Sequence, residues 1–140
     1  VDNASFHFEG ITEFEGALNA LIVRMDLATN AGLTEGGQVV ESYAKMGASG
    51  APGPNVITGT LRRSIHVEGP SSYGNAGRQI QIGPSVIYGR RVELGFHGDD
   101  SLGRHYEQDG KPYLGPALDR VRNTLLPSIF ERAWAAALIA

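Results

Sequence analysis

The chain contains no cysteine, two methionines and a single tryptophan among 140 residues. Without cysteine there is no disulfide, no thiolate metal site and no thiol nucleophile, a composition that fits a reducing compartment. Long apolar runs are also missing. The longest, in ERAWAAALIA, is too short and too terminal to cross a bilayer, and no secretory apolar segment is present. No membrane partner is therefore expected. Nor is there an excess of positive charge: the net charge of −3 gives no support to a general nucleic-acid binder. The motifs Gly-x-Ser-x-Gly, Gly-Lys-Ser/Thr and Gly-x-Gly-x-x-Gly are absent, as is a helical His pair flanking a glutamate. No nucleotide cofactor and no enzymatic activity are expected.

What is present is ordinary in bulk and uneven in detail. At 41% apolar and 19% charged residues, the composition is that of a globular chain with one core, taken as a single domain over 1–140. Residues 1–57 carry seven acids against Arg24 and Lys45, whereas residues 58–122 carry nine basic residues and seven acids. An acidic front therefore precedes a mildly basic middle. The 19 glycines are about twice the usual share and cluster between candidate elements.

In the acidic helical part, 1–46, Thr12 and Glu15 form a capping-box pattern, followed by Phe14, Leu18, Leu21, Ile22 and Met25 at helical spacing. Val39, Val40, Tyr43 and Met46 continue the stripe. Between them Gly32, Gly36 and Gly37 each cost about 1 kcal/mol in a helix interior. The pattern predicts one long helix with a weak middle, although two helices would also fit. The run 47–57, GASGAPGPNVI, reads as a loop.

The remaining part, 58–140, predicts mixed structure. Thr58 is placed to cap a short turn through Ser64. Ile65 and Val67, then Ile80 and Ile82, alternate with polar residues as two strands of a hairpin with a long mobile tip. VIYGRRVELGF reads as a short helix with Tyr88, Val92 and Leu94 turned inward, and 96–111 as a polar loop. Pro116 is expected at the first position of the C-terminal helix, which Pro127 should kink or restart. The fold class is α+β: a long N-terminal amphipathic helix, a small antiparallel sheet, a short helix, and a C-terminal helix kinked near Pro127.

Three groups of residues invite a chemical reading. FHGDDSLGRHYEQDG places His97, Asp99, Asp100 and His105 among six potential ligands within thirteen residues. A metal-dependent hydrolase could use such a set. The spacing matches no defined ligand pattern, so a solvated loop is favoured and no metal is expected. Ser64 and His66 lie two apart with no third member of a triad, and read as a turn residue and a solvent-facing strand residue. The pairs Arg62-Arg63 and Arg90-Arg91 could grip a DNA backbone. The charge balance instead favours protein contacts, either bridges to Glu68 or Glu93 or contacts with the acidic helix of another copy.

Three phrases resemble a known family. TGTLRRSI (Thr58, Gly59, Leu61, Arg62, Ser64, Ile65) is similar to a Thr-Gly-x-Leu-Arg-x-Ser-Ile signature of small tailed-phage morphogenesis proteins. IGPSVIYGRRVELGF (Gly83, Pro84, Tyr88, Val92, Glu93, Gly95) and PYLGPAL (Pro112, Leu114, Pro116, Ala117, Leu118) follow in the same order as in that family. These are the neck, or head–tail joining, proteins of long-tailed phages and prophages, also described as minor tail or tail completion components. The chain departs from the pattern in its longer segment before Thr58 and its extra residues after Glu93.

The resemblance implies a non-enzymatic virion protein at the head–tail junction, made in the host cytoplasm. It implies a homo-oligomeric ring between portal or connector and tail, touching other neck or tail proteins, with DNA in its lumen as a non-specific contact. A tail terminator capping the tube is the alternative within that class. The metal-dependent hydrolase built on the loop from His97 to His105 is the alternative outside it.

Overall fold

The computed structural model describes residue 5 and residues 7–140. One helix, α1 (Ile11–Gly47), runs without interruption through all three predicted weak points. A short helix α2 (Thr60–Ser64) leads into the hairpin β1 (Ile65–Tyr73) and β2 (Gly77–Pro84). Then come α3 (Gly89–Leu94), a second hairpin β3 (Gly95–Asp99) and β4 (His105–Asp109), and two helices, α4 (Leu114–Thr124) and α5 (Leu126–Ile139). The fold class is the α+β arrangement expected from the sequence.

The glycines of α1 are seats for other elements. Gly32, Gly36 and Gly37 are buried. A Cβ at Gly32 would stand 2.7 Å from the Phe130 ring, one at Gly36 2.5 Å from a Leu126 methyl, and one at Gly37 2.5 Å from Ile80 Cδ1. The missing side chains let α5 and the β1–β2 hairpin approach the helix backbone. C-terminal to them, Val40, Ala44 and Ala48 join Ile65, Tyr113, Ala117 and Val121 in the core. Burying side chains the size of Ile65 or Val121 contributes about 1.5–3 kcal/mol each.

Several local expectations change. Thr12 lies inside α1, whose N-cap is Gly10 in the left-handed region (φ 80°), so Thr12 and Glu15 make no capping box. Gly59, not Thr58, caps α2; the Thr58 hydroxyl instead lies 2.8 Å from that of Thr60. The tip of the first hairpin is mostly strand. Pairing continues past a bulge between Glu68 and Ser71, from Ser71 opposite Gln79 to Tyr73 opposite Gly77. Residues 96–111 contain a second hairpin, with Phe96 opposite Gln108 and Gly98 opposite Tyr106.

Helix α4 starts two residues before Pro116. The proline falls in the first turn, where no intrahelical partner awaits its N–H. Pro127 is the second residue of α5, and the chain restarts at Leu125 rather than bending within one helix. Leu94 is 67% exposed, not inward. It lies two residues from Val92, on the opposite side of a helix of only six residues.

The Gly36 seat sets a sign that differs between two substitutions. Gly36→Ala should stay within about 1 kcal/mol of the parent chain, because the helix propensity gained offsets a small shift of the Leu126 methyl. Gly36→Val should destabilise by about 2 kcal/mol through overpacking. Urea denaturation of both variants checks this, and equal stability of the two would show that α5 is not seated on the glycine.

Candidate functional site

The three signature phrases meet around the start of α4. Tyr113, at the N-cap of that helix, is 2% exposed and donates its hydroxyl to the Gly89 carbonyl at 3.2 Å. Burial, with smaller contributions from Glu93 and Tyr88, pushes its phenol up to about 12. Glu93 projects from α3 and accepts three backbone N–H groups, from Tyr113 (2.8 Å), Leu114 (3.0 Å) and Gly115 (2.9 Å). Helix starts leave such donors unpaired, and a carboxylate there is favoured by both the free N–H groups and the helix dipole. The Lys111 N–H donates to the Val92 carbonyl at 2.7 Å, and the Ser85 N–H to the Ser64 carbonyl at 3.1 Å.

The first phrase is fixed in the same region. The Ser64 hydroxyl donates to the Leu61 carbonyl at 2.7 Å, and Ile65 is fully buried. Leu61, Val92 and Leu114 pack against the core from partly exposed positions. Gly95 holds φ 79°, and a Cβ there would meet the Gln108 carbonyl oxygen at 2.5 Å, so only glycine suits this close approach. Pro112 precedes the buried Tyr113, and Pro116 lies in the first turn of α4.

An open cleft of about 620 Å³ lies over these residues, between the 54–62 segment, α3 and the end of β4. Leu61, Tyr88 and Val92 line it with Pro54, Val56 and Ile57. Tyr88, expected to turn inward, is 43% exposed; it is the N-cap of α3 and lines the cleft. In the sequence Pro54, Val56 and Ile57 read only as loop. Two β-branched apolar residues ending a Gly/Pro-rich run were the signal that the loop had something to cover.

The four arginines do not make the expected bridges. Glu93 is taken by α4 and Glu68 lies 2.9 Å from His66, and among the described residues none of Arg62, Arg63, Arg90 and Arg91 forms an ion pair. Arg91 lies over the Phe96 ring, 4.1 Å from its centroid, and Arg62 donates to the Ser49 hydroxyl at 3.2 Å. Ser64 and His66 meet only through the Ser64 carbonyl, which accepts from the ring at 2.9 Å. That bond and Glu68 hold the His66 pKa above its ordinary value.

The histidine–carboxylate segment is a cross-strand lattice. His97 lies 2.7 Å from Glu107, while His105 reaches Asp99 at 2.7 Å and Glu107 at 2.9 Å. Asp100 organises the turn, accepting from the Leu102 and Arg104 N–H groups and from the Arg104 side chain. These bonds hold its carboxyl below the usual range, the Arg104 N–H contributing most. Among the described residues no three His, Asp or Glu side chains are arranged to hold a metal ion. No helix among them is long and apolar enough to cross a membrane.

No protein-family model, no curated protein and no solved structure matches the chain.

Two outcomes follow. Glu93→Ala should cost about 2 kcal/mol, measured by thermal or urea unfolding, since it leaves three N–H groups without their carboxylate. Glu93→Gln, able to accept but uncharged, should recover part of that loss; equal behaviour of the two would mean that the carboxylate is not a cap.

The second outcome concerns pH. Glu107 raises the His97 pKa, and His97, then His105, lower that of Glu107. A raised histidine stabilises the folded state fully below its unfolded value, near 6.5, and loses this as pH rises through the folded value. A depressed glutamate stabilises above its unfolded value, near 4.5, and loses this as pH falls through the folded one. Protection of the β3–β4 amides, corrected for intrinsic exchange, should therefore peak between those values. NMR titration should place His97 above 6.5 in the parent chain and nearer to it in Glu107→Gln. An unmoved His97 midpoint would sink the pairing.

Proposed function

We propose that the chain is a structural virion protein of a long-tailed bacteriophage or prophage. In this reading it acts at the head–tail junction as an oligomer between the portal or connector and the tail. The observation that carries the reading is the position of the three phrases. Gly83–Gly95 and Pro112–Leu118 lie apart in sequence yet share one set of bonds around Glu93, Tyr113 and Gly89, and Thr58–Ile65 joins them through the Ser85 N–H to Ser64 carbonyl bond and the packing of Ile65 in the core with Tyr113. Glu93, the Tyr113 hydroxyl and the Ser64 carbonyl are engaged in joining elements, as befits a signature that specifies shape. Above them stands an apolar cleft, and Arg62, Arg63, Arg90 and Arg91, which form no ion pair among the described residues, supply positive charge for protein neighbours or a nucleic-acid backbone.

The test is genetic and visual. Removing the coding sequence from the phage or prophage that carries it should leave filled heads and tails of normal length that fail to join. Supplying the chain in trans should restore whole particles. Tails of irregular length would assign the protein to tail termination instead, and normal particles would end the virion reading.

A further inference from the structure

The second hairpin has an unpaired edge, and that edge borders the cleft. The Asp100 N–H donates to the Arg104 carbonyl at 2.9 Å, which fixes the alternation of bonds between β3 and β4. In an antiparallel pair every second residue bonds to the facing strand. Counting from Arg104, Tyr106 and Gln108 bond toward β3, whereas the N–H and C=O groups of Glu107 and Asp109 point outward. Among the described residues β3 is the only strand paired with β4, and no backbone group of another element bonds to Glu107 or Asp109.

Glu107, Gln108 and Asp109 all line the cleft. Successive strand residues point to opposite faces, so a cavity bordered by three in a row meets the strand along its edge. Residues 54–62 form the facing wall, and Val92 and Tyr88 lie between the two walls. The bond from the Lys111 N–H to the Val92 carbonyl, 2.7 Å long, holds this floor against the end of β4. Apolar surface is bare here, with Ile57 93% exposed and Val56 45%. Free backbone groups beside apolar surface are the two components of strand addition. A helix could not use the backbone groups, because its own are bonded internally. Charge favours a ligand of neither sign, since Arg62 and Lys111 are balanced along the lining by Glu107 and Asp109. The lining thus suits an occupant that is extended and uncharged.

We propose that the cleft takes an extended, uncharged segment of a partner protein as a strand added to β4. The segment bonds to the outward N–H and C=O groups of Glu107 and Asp109, and its alternate apolar side chains rest on Ile57, Tyr88 and Val92. The outward groups repeat at about 7 Å along the strand, so about four or five residues of the partner engage both. This names a class of partner for the cleft and holds whether or not the protein acts at a head–tail junction.

The test is selection of displayed random heptapeptides on the immobilised whole chain, followed by NMR titration of the labelled chain with a selected peptide. The peptides should lack charge and alternate apolar with polar residues, and the Glu107 and Asp109 amide signals should shift on binding. Asp109→Pro removes one outward N–H and no bond to β3, a position where an edge strand tolerates proline. It should weaken binding roughly tenfold, because a peptide carbonyl loses its donor. Asp109→Asn keeps the N–H and should bind as the parent does. Circular dichroism and melting check that both variants fold. A further measurement needs no variant: methylating the peptide nitrogens at alternate residues should abolish binding in one phase and spare it in the other. No selected peptide, charged or helix-patterned peptides, equal affinity of the three chains, or equal loss in both methylation phases would overturn the added strand. A parent dimer that Asp109→Pro dissolves, seen by sedimentation, would assign the edge to a second copy and overturn it too. The particle phenotype of the deletion is read separately from all of these.

Discussion

Three N–H groups at the start of α4 converge on the carboxylate of Glu93, and much of the second half of the chain is placed by that convergence. The carboxylate comes from α3, twenty residues upstream of Tyr113, so the bonds clamp α3 against the beginning of a helix that is itself packed on α1. Everything between the two ends of the clamp must fit within it. The intervening residues do so as a hairpin whose strands start and finish beside Gly95 and Asp109. The contact is both electrostatic and geometric: a charge meets the positive end of a helix, and it meets it with both oxygens. The cleft is a consequence. Val92 and Tyr88 line the cleft beside the 54–62 segment, while Glu93, the residue after Val92, is turned toward α4.

The helical stripe of α1, the pairing of Ile65 and Val67 with Ile82 and its neighbours, and the restart near Pro127 could be read from the sequence because each is local. Periodicity and proline chemistry act over a few residues and need no partner to be recognised. The glycines of α1 could not be read that way. Their propensity predicts a weak point, but tertiary contact with Phe130, Leu126 and Ile80 turns the same property into a packing surface. The second hairpin escaped for a related reason. With one aromatic residue per strand, Phe96 and Tyr106, there is almost no alternation to detect, and the other side-chain contacts across the strands are histidine–carboxylate pairs, His97 with Glu107 and His105 with Asp99. In sequence those ligand-like residues suggest a solvated loop or, as the alternative, a metal centre, since spacing cannot show which side chains face each other across a sheet. Likewise Glu93 was recognised as part of a phrase, but its task depends on α4 arriving beside it.

The distribution of charge acquires a spatial meaning once α1 is seen to project. Arg78 pairs with Asp26, and Arg132 with Glu35, so the acids in the packed stretch of α1 are neutralised by the body of the same chain. Glu13 and Glu15, on the exposed first turns of α1, have no cation partner among the described residues. The acids of α1 thus divide into a part satisfied within the chain and a part left exposed at the start of the helix. A similar division applies to the cations: among the described residues Lys45, Arg78, Arg104, Arg122 and Arg132 have carboxylates, while Arg62, Arg63, Arg90, Arg91 and Lys111 do not.

The projecting turns also need a reason to remain helical. Ten exposed residues would be a marginal helix by themselves, because nucleating a helix is costly and no packing compensates. As the continuation of a helix already held by α4, α5 and the first hairpin, they need no nucleation and add one hydrogen bond for each residue ordered.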